Sequence, residues 1–159
     1  MTMFTELEKQ ACISGKIVNL RSGSMGKDWV RDINYMHAHY GTDEAMKKMD
    51  PEKLKQFLKF RIDFLQEELD ELRAAKGAED VVDALIDLCV VAIGTLDSFD
   101  VDAYKAWDEV LEANMNKRVG VKDSRPNPLG LPDLIKPPGW KAPSHEGNHG
   151  NLSRVSYES

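Results

Sequence analysis

An all-α fold, a four- to five-helix bundle with an extended proline-rich C-terminal arm, is predicted by three features of this 159-residue chain. Apolar residues recur at three- and four-residue spacing in separate stretches between positions 28 and 118. Helix punctuation brackets those stretches, with Asp50-Pro51 at one start and Gly41, Gly77 and Gly120 at ends. Beyond Val121 come Pro126, Pro128, Pro132, Pro137, Pro138 and Pro143, which exclude regular helix.

Residues 1–27 join a polar opening to Ile17-Val18-Asn19-Leu20 and a loop-like Gly/Ser stretch, and no element is assigned there. Gly26-Lys27 does not make a phosphate loop: Gly23 is too close, Asp28 replaces the Ser/Thr that would hold magnesium, and no strand precedes it. From Asp28 to Tyr40 the spacing of Trp29, Val30, Ile33, Met36 and Tyr40 predicts the first helix, with Trp29, Met36 and Tyr40 in the core. Thr42 to Met49 reads as a polar loop with a short helical turn. A second helix follows from Pro51 to about Ala75, ended by Gly77. On it, Phe57, Phe60 and Phe64 form a core-facing stripe prolonged by Glu67 and Glu71, with Glu68 at its edge. Leu58, Ile62, Leu65, Leu69 and Leu72 form a second apolar face, and Arg61 is expected outside, in a salt bridge.

The third helix, about Glu79 to Phe99, is apolar over most of its circumference, through Val82, Leu85, Ile86, Leu88, Cys89, Ala92, Ile93 and Leu96. Asp80, Asp83, Asp87, Val90 and Gly94 make the remaining stripe. Asp100 is expected to cap a fourth helix from Val101 to Arg118, burying Tyr104, Trp107, Val110, Leu111 and Met115. The arm carries Leu129, Leu131, Leu134, Ile135 and Trp140, enough apolar surface to pack over the helices or a neighbouring subunit. Residues from about His145 are expected to fray. The organisation is thus an N-terminal segment (1–27), a helical domain (28–120) and an arm (121–159).

Two apolar faces on the central helices predict a homodimer or homotetramer. The formal net charge is −6, with acids concentrated on two helices and basic residues scattered, so no footprint for polymeric nucleic acid emerges. Cys12 and Cys89 lack metal-ligand spacing and fit a reducing compartment. With neither a basic leader nor a membrane-length apolar run, the expectation is a soluble, cytoplasmic protein. An aspartate at 87, between Ile86 and Leu88, would be costly to bury alone. A hard divalent cation is its natural partner. Acids on both helices therefore point to a multi-magnesium site and to phosphate chemistry.

The motifs are specific enough to compare with a family. Glu67-Glu68-x-x-Glu71, then Asp83-Ala84-Leu85-x-Asp87 with Gly94-Thr95, then Asn114-Met115-x-Lys117, resemble the all-α nucleoside triphosphate pyrophosphohydrolases of the MazG-like superfamily. Asp32-Ile33-x-x-Met36-His37-x-x-Tyr40-Gly41 and Lys136-Pro137-Pro138-Gly139-Trp140 extend the resemblance over about residues 28–142. One departure is visible: the superfamily usually has Glu three residues before the final Asp, where Ala84 stands here. Asp83 is the substitute, or else Asp80 and Asp83 form the pair with Asp87 in support.

The resemblance implies hydrolysis of a (deoxy)nucleoside triphosphate to the monophosphate and pyrophosphate, dependent on Mg2+, with Mn2+ as an alternative. It further implies Glu68, Glu71, Asp83 and Asp87 as metal ligands and Glu67 as ligand or general base. Glu67 and Glu68 are then the catalytic pair, and Asn114, Lys117 and His37 contact substrate. A non-catalytic metal- or nucleotide-binding helical module is the competing reading. A di-iron carboxylate protein is set aside, because neither acid helix contains a histidine.

Overall fold

A computed structural model describes residues 28–124 and 127–157, so Cys12, the Ile17–Leu20 stretch and the Gly/Ser loop lie outside the described residues. Helix α1 spans Trp29–Tyr40. Asp28 is its N-cap rather than its first residue, since its carboxylate accepts the Arg31 N–H at 3.0 Å. Gly41, at a φ of 75°, ends it in the left-handed conformation that glycine adopts freely. The short helical turn expected within the Thr42–Met49 loop is a six-residue helix that takes up most of it, α2, Thr42–Lys47. Helix α3, Pro51–Ala74, starts as expected, with Pro51 in its first turn and the Asp50 carboxylate accepting the Lys53 N–H at 2.9 Å. Gly77 does not end α3; it is the N-cap of α4, Ala78–Ser98. Helix α5 is shorter than expected, Ala103–Met115. Asp100, at a φ of 59°, turns the chain before it, and Arg118 has already entered a strand.

The chain divides into two compact units, one from residues up to 103 together with 149 onward, the other from 104 to 148. In the first, α4 packs against both α3 and α1. Its core centres on the fully buried Leu54 and Phe99, joined by Met46 and Val155. The C-terminal residues expected to fray instead build this core. A 3-10 turn, Gly150–Arg154, is fixed by the Asn151 N–H donating to the Phe99 carbonyl at 2.7 Å and by Arg154 donating to the Met49 carbonyl at 3.2 Å. Leu152 and Val155, three apart, then close over Leu54 and Phe99. Nearby polar sequence hid that short apolar pair.

In the second unit, β1 (Arg118–Gly120) pairs antiparallel with β2 (Asp133–Ile135), Arg118 opposite Ile135 and Gly120 opposite Asp133. The supposed arm is therefore partly a ladder, formed where Pro132 and Pro137 leave four backbone N–H groups in a row. The Trp140 indole N–H donates to the Ala113 carbonyl at 2.7 Å, tying the chain after β2 to α5.

Several expected core residues are exposed: Trp29, Tyr40, Phe60, Ile62, Val82, Leu85 and Ile86, and on α5 Tyr104, Trp107, Val110, Leu111 and Met115. Small residues take their place, with Ala84, Val91, Ala103 and Ala113 buried. Periodicity identifies apolar stripes; which stripe meets a neighbour within the chain depends on where helices approach closely, and α-carbons approach closest at small side chains. Among the described residues no helix is long and apolar enough to cross a membrane.

Candidate active site

Helices α3 and α4 bring the five acids to one region. Glu68 is the buried one, 7% exposed, while Glu67, Glu71 and Asp83 are exposed and Asp87 is half-buried. The expectation that Glu67 and Glu71 continue the inward stripe, with Glu68 at its edge, is thus reversed. The reason is the line of closest approach. Ala84, Val91, Gly94 and Ser98 are the buried residues of α4; on α3 Arg61 bonds the Val91 carbonyl, and Glu68, seven residues and two turns further on, is buried as well. Ala84, the point of departure from the superfamily pattern, is itself only 4% exposed.

Burial raises the Glu68 carboxyl above its ordinary pKa, and the charges of Glu71, Asp87, Glu67 and Asp83 push it further in the same direction. Its Oε2 is buried with no hydrogen-bond partner. A carboxylate oxygen left without a donor and surrounded by like charge fits a cation, and all-oxygen donors suit magnesium or manganese. Asp80 stands apart from this set: its carboxylate accepts the Lys76 N–H at 3.1 Å, next to the start of α4. Glu67 and Glu71 also border a hollow of about 570 Å³ along α3, together with Asp63, Gln66 and Asp70.

His37 is buried elsewhere in the same unit. Its Nδ1 lies 2.7 Å from Asp97 Oδ2, while Asn34 donates to Asp97 Oδ1 at 2.9 Å. His37, Asp43 and Asp97 bring one donor atom each within 4.8 Å of one another, a set able to hold a metal ion; among the described residues it is this trio, not the five acids, that is drawn so tight. Its closeness is already accounted for in part by the His37–Asp97 hydrogen bond, and an imidazole in the set favours softer cations than magnesium.

Arg61 is not an outer salt-bridge residue. Its Nη2 donates to the Val91 carbonyl at 2.8 Å and its Nε to Thr95 Oγ1 at 2.9 Å, with the guanidinium 5.5 Å from the Phe64 ring centre. Partial burial lowers its pKa. Gly94 makes room for this cluster, since a Cβ there would stand 2.9 Å from Arg61 Nη2 and 3.4 Å from His37 Nε2. Asn34 and Asp97 were not singled out by sequence, while Arg61 was read only as an outer salt-bridge residue and Thr95 only as part of the Gly94-Thr95 step. Between α1 and α4 there is also an apolar cavity of about 290 Å³, lined by Trp29, Ile33, Ile86, Cys89, Val90 and Ile93, with Asp32 its ionisable group.

Asn114 and Lys117 belong to the second unit, where Lys117 Nζ donates to Asn114 Oδ1 at 2.8 Å. Three positions apart at the end of α5, they form one polar group, as their spacing suggested.

A search of curated proteins gives no match. Residues 41–114, the stretch from α2 to the end of α5, match the phosphoribosyl-ATP pyrophosphohydrolase family, whose members cleave a phosphoric anhydride. That match lies over the helices that carry the acids, and the matched family is one of the MazG-like all-α nucleoside triphosphate pyrophosphohydrolase superfamily.

Proposed function

We propose that this protein hydrolyses a (deoxy)nucleoside triphosphate to the monophosphate and pyrophosphate, with Mg2+ or Mn2+ held by Glu67, Glu68, Glu71, Asp83 and Asp87. The observation that carries the reading is the buried Glu68 carboxylate, one oxygen without a partner and four acids around it. Bound divalent cations supply Lewis acidity toward the triphosphate and lower the pKa of water. Glu67, exposed and adjacent to Glu68, is proposed to serve either as one of these ligands or as the general base that takes the proton from the attacking water. Asp83, one turn before Asp87, serves where the superfamily has Glu, and Asp80 is left to the start of α4.

For the substrate, Asn114 and Lys117 are proposed to bind phosphate or sugar, and His37 to contact it through Nε2, the nitrogen that Asp97 leaves unengaged. The apolar cavity between α1 and α4 is of a size for a nucleobase, with Trp29 available for stacking. A second substrate reading, phosphoribosyl-ATP, is favoured by the family matched between 41 and 114. It involves the same bond class and the same acids.

The test is a product assay with Mg2+ across ribo- and deoxyribonucleoside triphosphates and phosphoribosyl-ATP. Pyrophosphate and a monophosphate are expected from at least one of them, and orthophosphate as the product would overturn the reading. A non-catalytic binding module would instead show nucleotide-dependent stabilisation with no product from any compound in the panel.

A further inference from the structure

The strand register of the second unit places two lysines where like charges are ordinarily avoided. Arg118 is opposite Ile135 at the end of the ladder, so Lys117 and Lys136 are the positions just beyond that end on the two strands. Cross-strand neighbours of like charge destabilise a hairpin. Both ammonium groups are nevertheless drawn to one indole: Lys136 Nζ lies 4.6 Å and Lys117 Nζ 5.5 Å from the Trp140 ring centre. They are within about one Debye length of each other, and among the described residues neither has a carboxylate at ion-pair distance.

The group is also rigidly built. Pro137-Pro138-Gly139-Trp140 is a tight turn closed by the Trp140 N–H donating to the Pro137 carbonyl at 3.0 Å. Gly139 has a φ of 78°, the pattern of a type II turn with proline second and glycine third. The indole N–H is fixed on the Ala113 carbonyl. Asn114 Oδ1 accepts from Lys117, which leaves the Asn114 amide N–H2 as a further donor beside the two ammonium groups. Every available group in this constellation donates or is cationic. One lysine resting on a tryptophan is ordinary packing. Two of them, held just beyond the end of a ladder beside the exposed Asn114 side chain, make a preorganised receptor for an anion.

We propose that Lys136, together with Lys117 and Asn114 on the Trp140 platform, binds a polyphosphate group, as the chain β- and γ-phosphates of a nucleotide or as free pyrophosphate. The choice of a polyphosphate over another anion rests on the pyrophosphohydrolase reading. The site itself rests on the register and the ring contacts. Lys136 then adds to the binding set a residue that the Asn114-Met115-x-Lys117 motif does not contain.

The experiment is calorimetry of the full-length protein with inorganic pyrophosphate in magnesium-free buffer, alongside Lys136→Met, Lys136→Arg and, as a distant control, Lys122→Met. Lys136→Met keeps the aliphatic stem that lies on Trp140 and should weaken pyrophosphate about five- to tenfold, while Lys136→Arg and Lys122→Met stay near wild type. In turnover, Lys136→Met should raise KM with kcat within about twofold. Pyrophosphate binding unchanged in Lys136→Met, or wild-type binding no tighter than that of sulfate at equal ionic strength, overturns the site. Hydrolysis that persists with an unaffected Lys136→Met removes the site and keeps the enzyme. Binding that responds to Lys136→Met without hydrolysis keeps the site and removes the enzyme.

Discussion

Glu68 concentrates the chemistry of the acid cluster in one titration. Its folded pKa is raised, so over the interval between its ordinary value near 4.5 and the raised value the native state holds more proton than the unfolded chain. Stability from this group is therefore fully present below the unfolded value and is lost as pH rises through the folded one. Two outcomes are expected. The metal-free Tm should fall with rising pH across that window in the wild type and flatten in Glu68→Gln, and Mg2+ should restore the wild-type Tm increasingly as pH rises. Scanning calorimetry with and without Mg2+ checks both, and parallel curves for the two proteins would count against an unsupported Glu68. The same substitution should lower kcat on the order of a hundredfold or more. Arg61 offers a contrast, because its role is to satisfy the Val91 carbonyl and Thr95. Arg61→Met should cost about 1–2 kcal/mol in urea denaturation, and Arg61→Lys should recover only part, since one ammonium cannot reproduce a fork that spans both acceptors.

At the level of elements, the last turn of the chain gives the clearest prediction. Leu152 and Val155 close over Leu54 and Phe99, so truncation after Asn148 should destabilise the first unit by about 3 kcal/mol, the scale of exposing one buried and one partly buried aliphatic side chain. A frayed tail would leave the denaturation midpoint unmoved. Gly150→Ala should give much of the same loss, because Gly150 has a φ of 52° and a Cβ there runs into the carbonyl oxygens of Phe99 and Asp100. What the sequence reveals about elements follows from what is local. The Asp50-Pro51 start, the Gly41 stop and the apolar periodicity of α1, α3 and α4 are contained within a few residues, and the structure has them. The β1–β2 ladder, the Val155 contact and the inward position of Arg61 depend on partners at distances of 13 to more than 100 residues along the chain. The acids of α3 and α4 were legible as a group because motif and wheel agree on them. Which acid is buried was not, because that depends on Ala84 and Val91, small residues that carry no signal on the wheel of α3.

For the whole molecule, the unresolved tension is the amount of apolar surface left outside. Val81, Val82, Leu85 and Ile86 on α4 are exposed by 37% to 60%, and Phe60 and Ile62 on α3 by 58% and 56%. They fall on the two helices that carry the acids, and contiguous exposed apolar side chains at this level are characteristic of association surfaces rather than of monomer surfaces. A self-complementary contact between copies through α4 would bury them, since a two-fold interface needs only one patch that matches itself. The expected outcome is a sedimentation-equilibrium mass at micromolar concentration that is a multiple of the 17.9 kDa chain. Leu85→Arg places a charge in that patch, two residues after Asp83 and away from the buried Ala84, so it should shift the mass toward one chain while leaving helical circular dichroism intact. A wild-type mass of one chain would remove the oligomer and leave the α4 patch to some other partner. Because Leu85 flanks Asp83 and Asp87 on α4, loss of assembly should also lower activity. Its concentration dependence separates that effect from direct damage to the acids: dilution of the wild type should reproduce it, and Mg2+-dependent stabilisation of Leu85→Arg should persist.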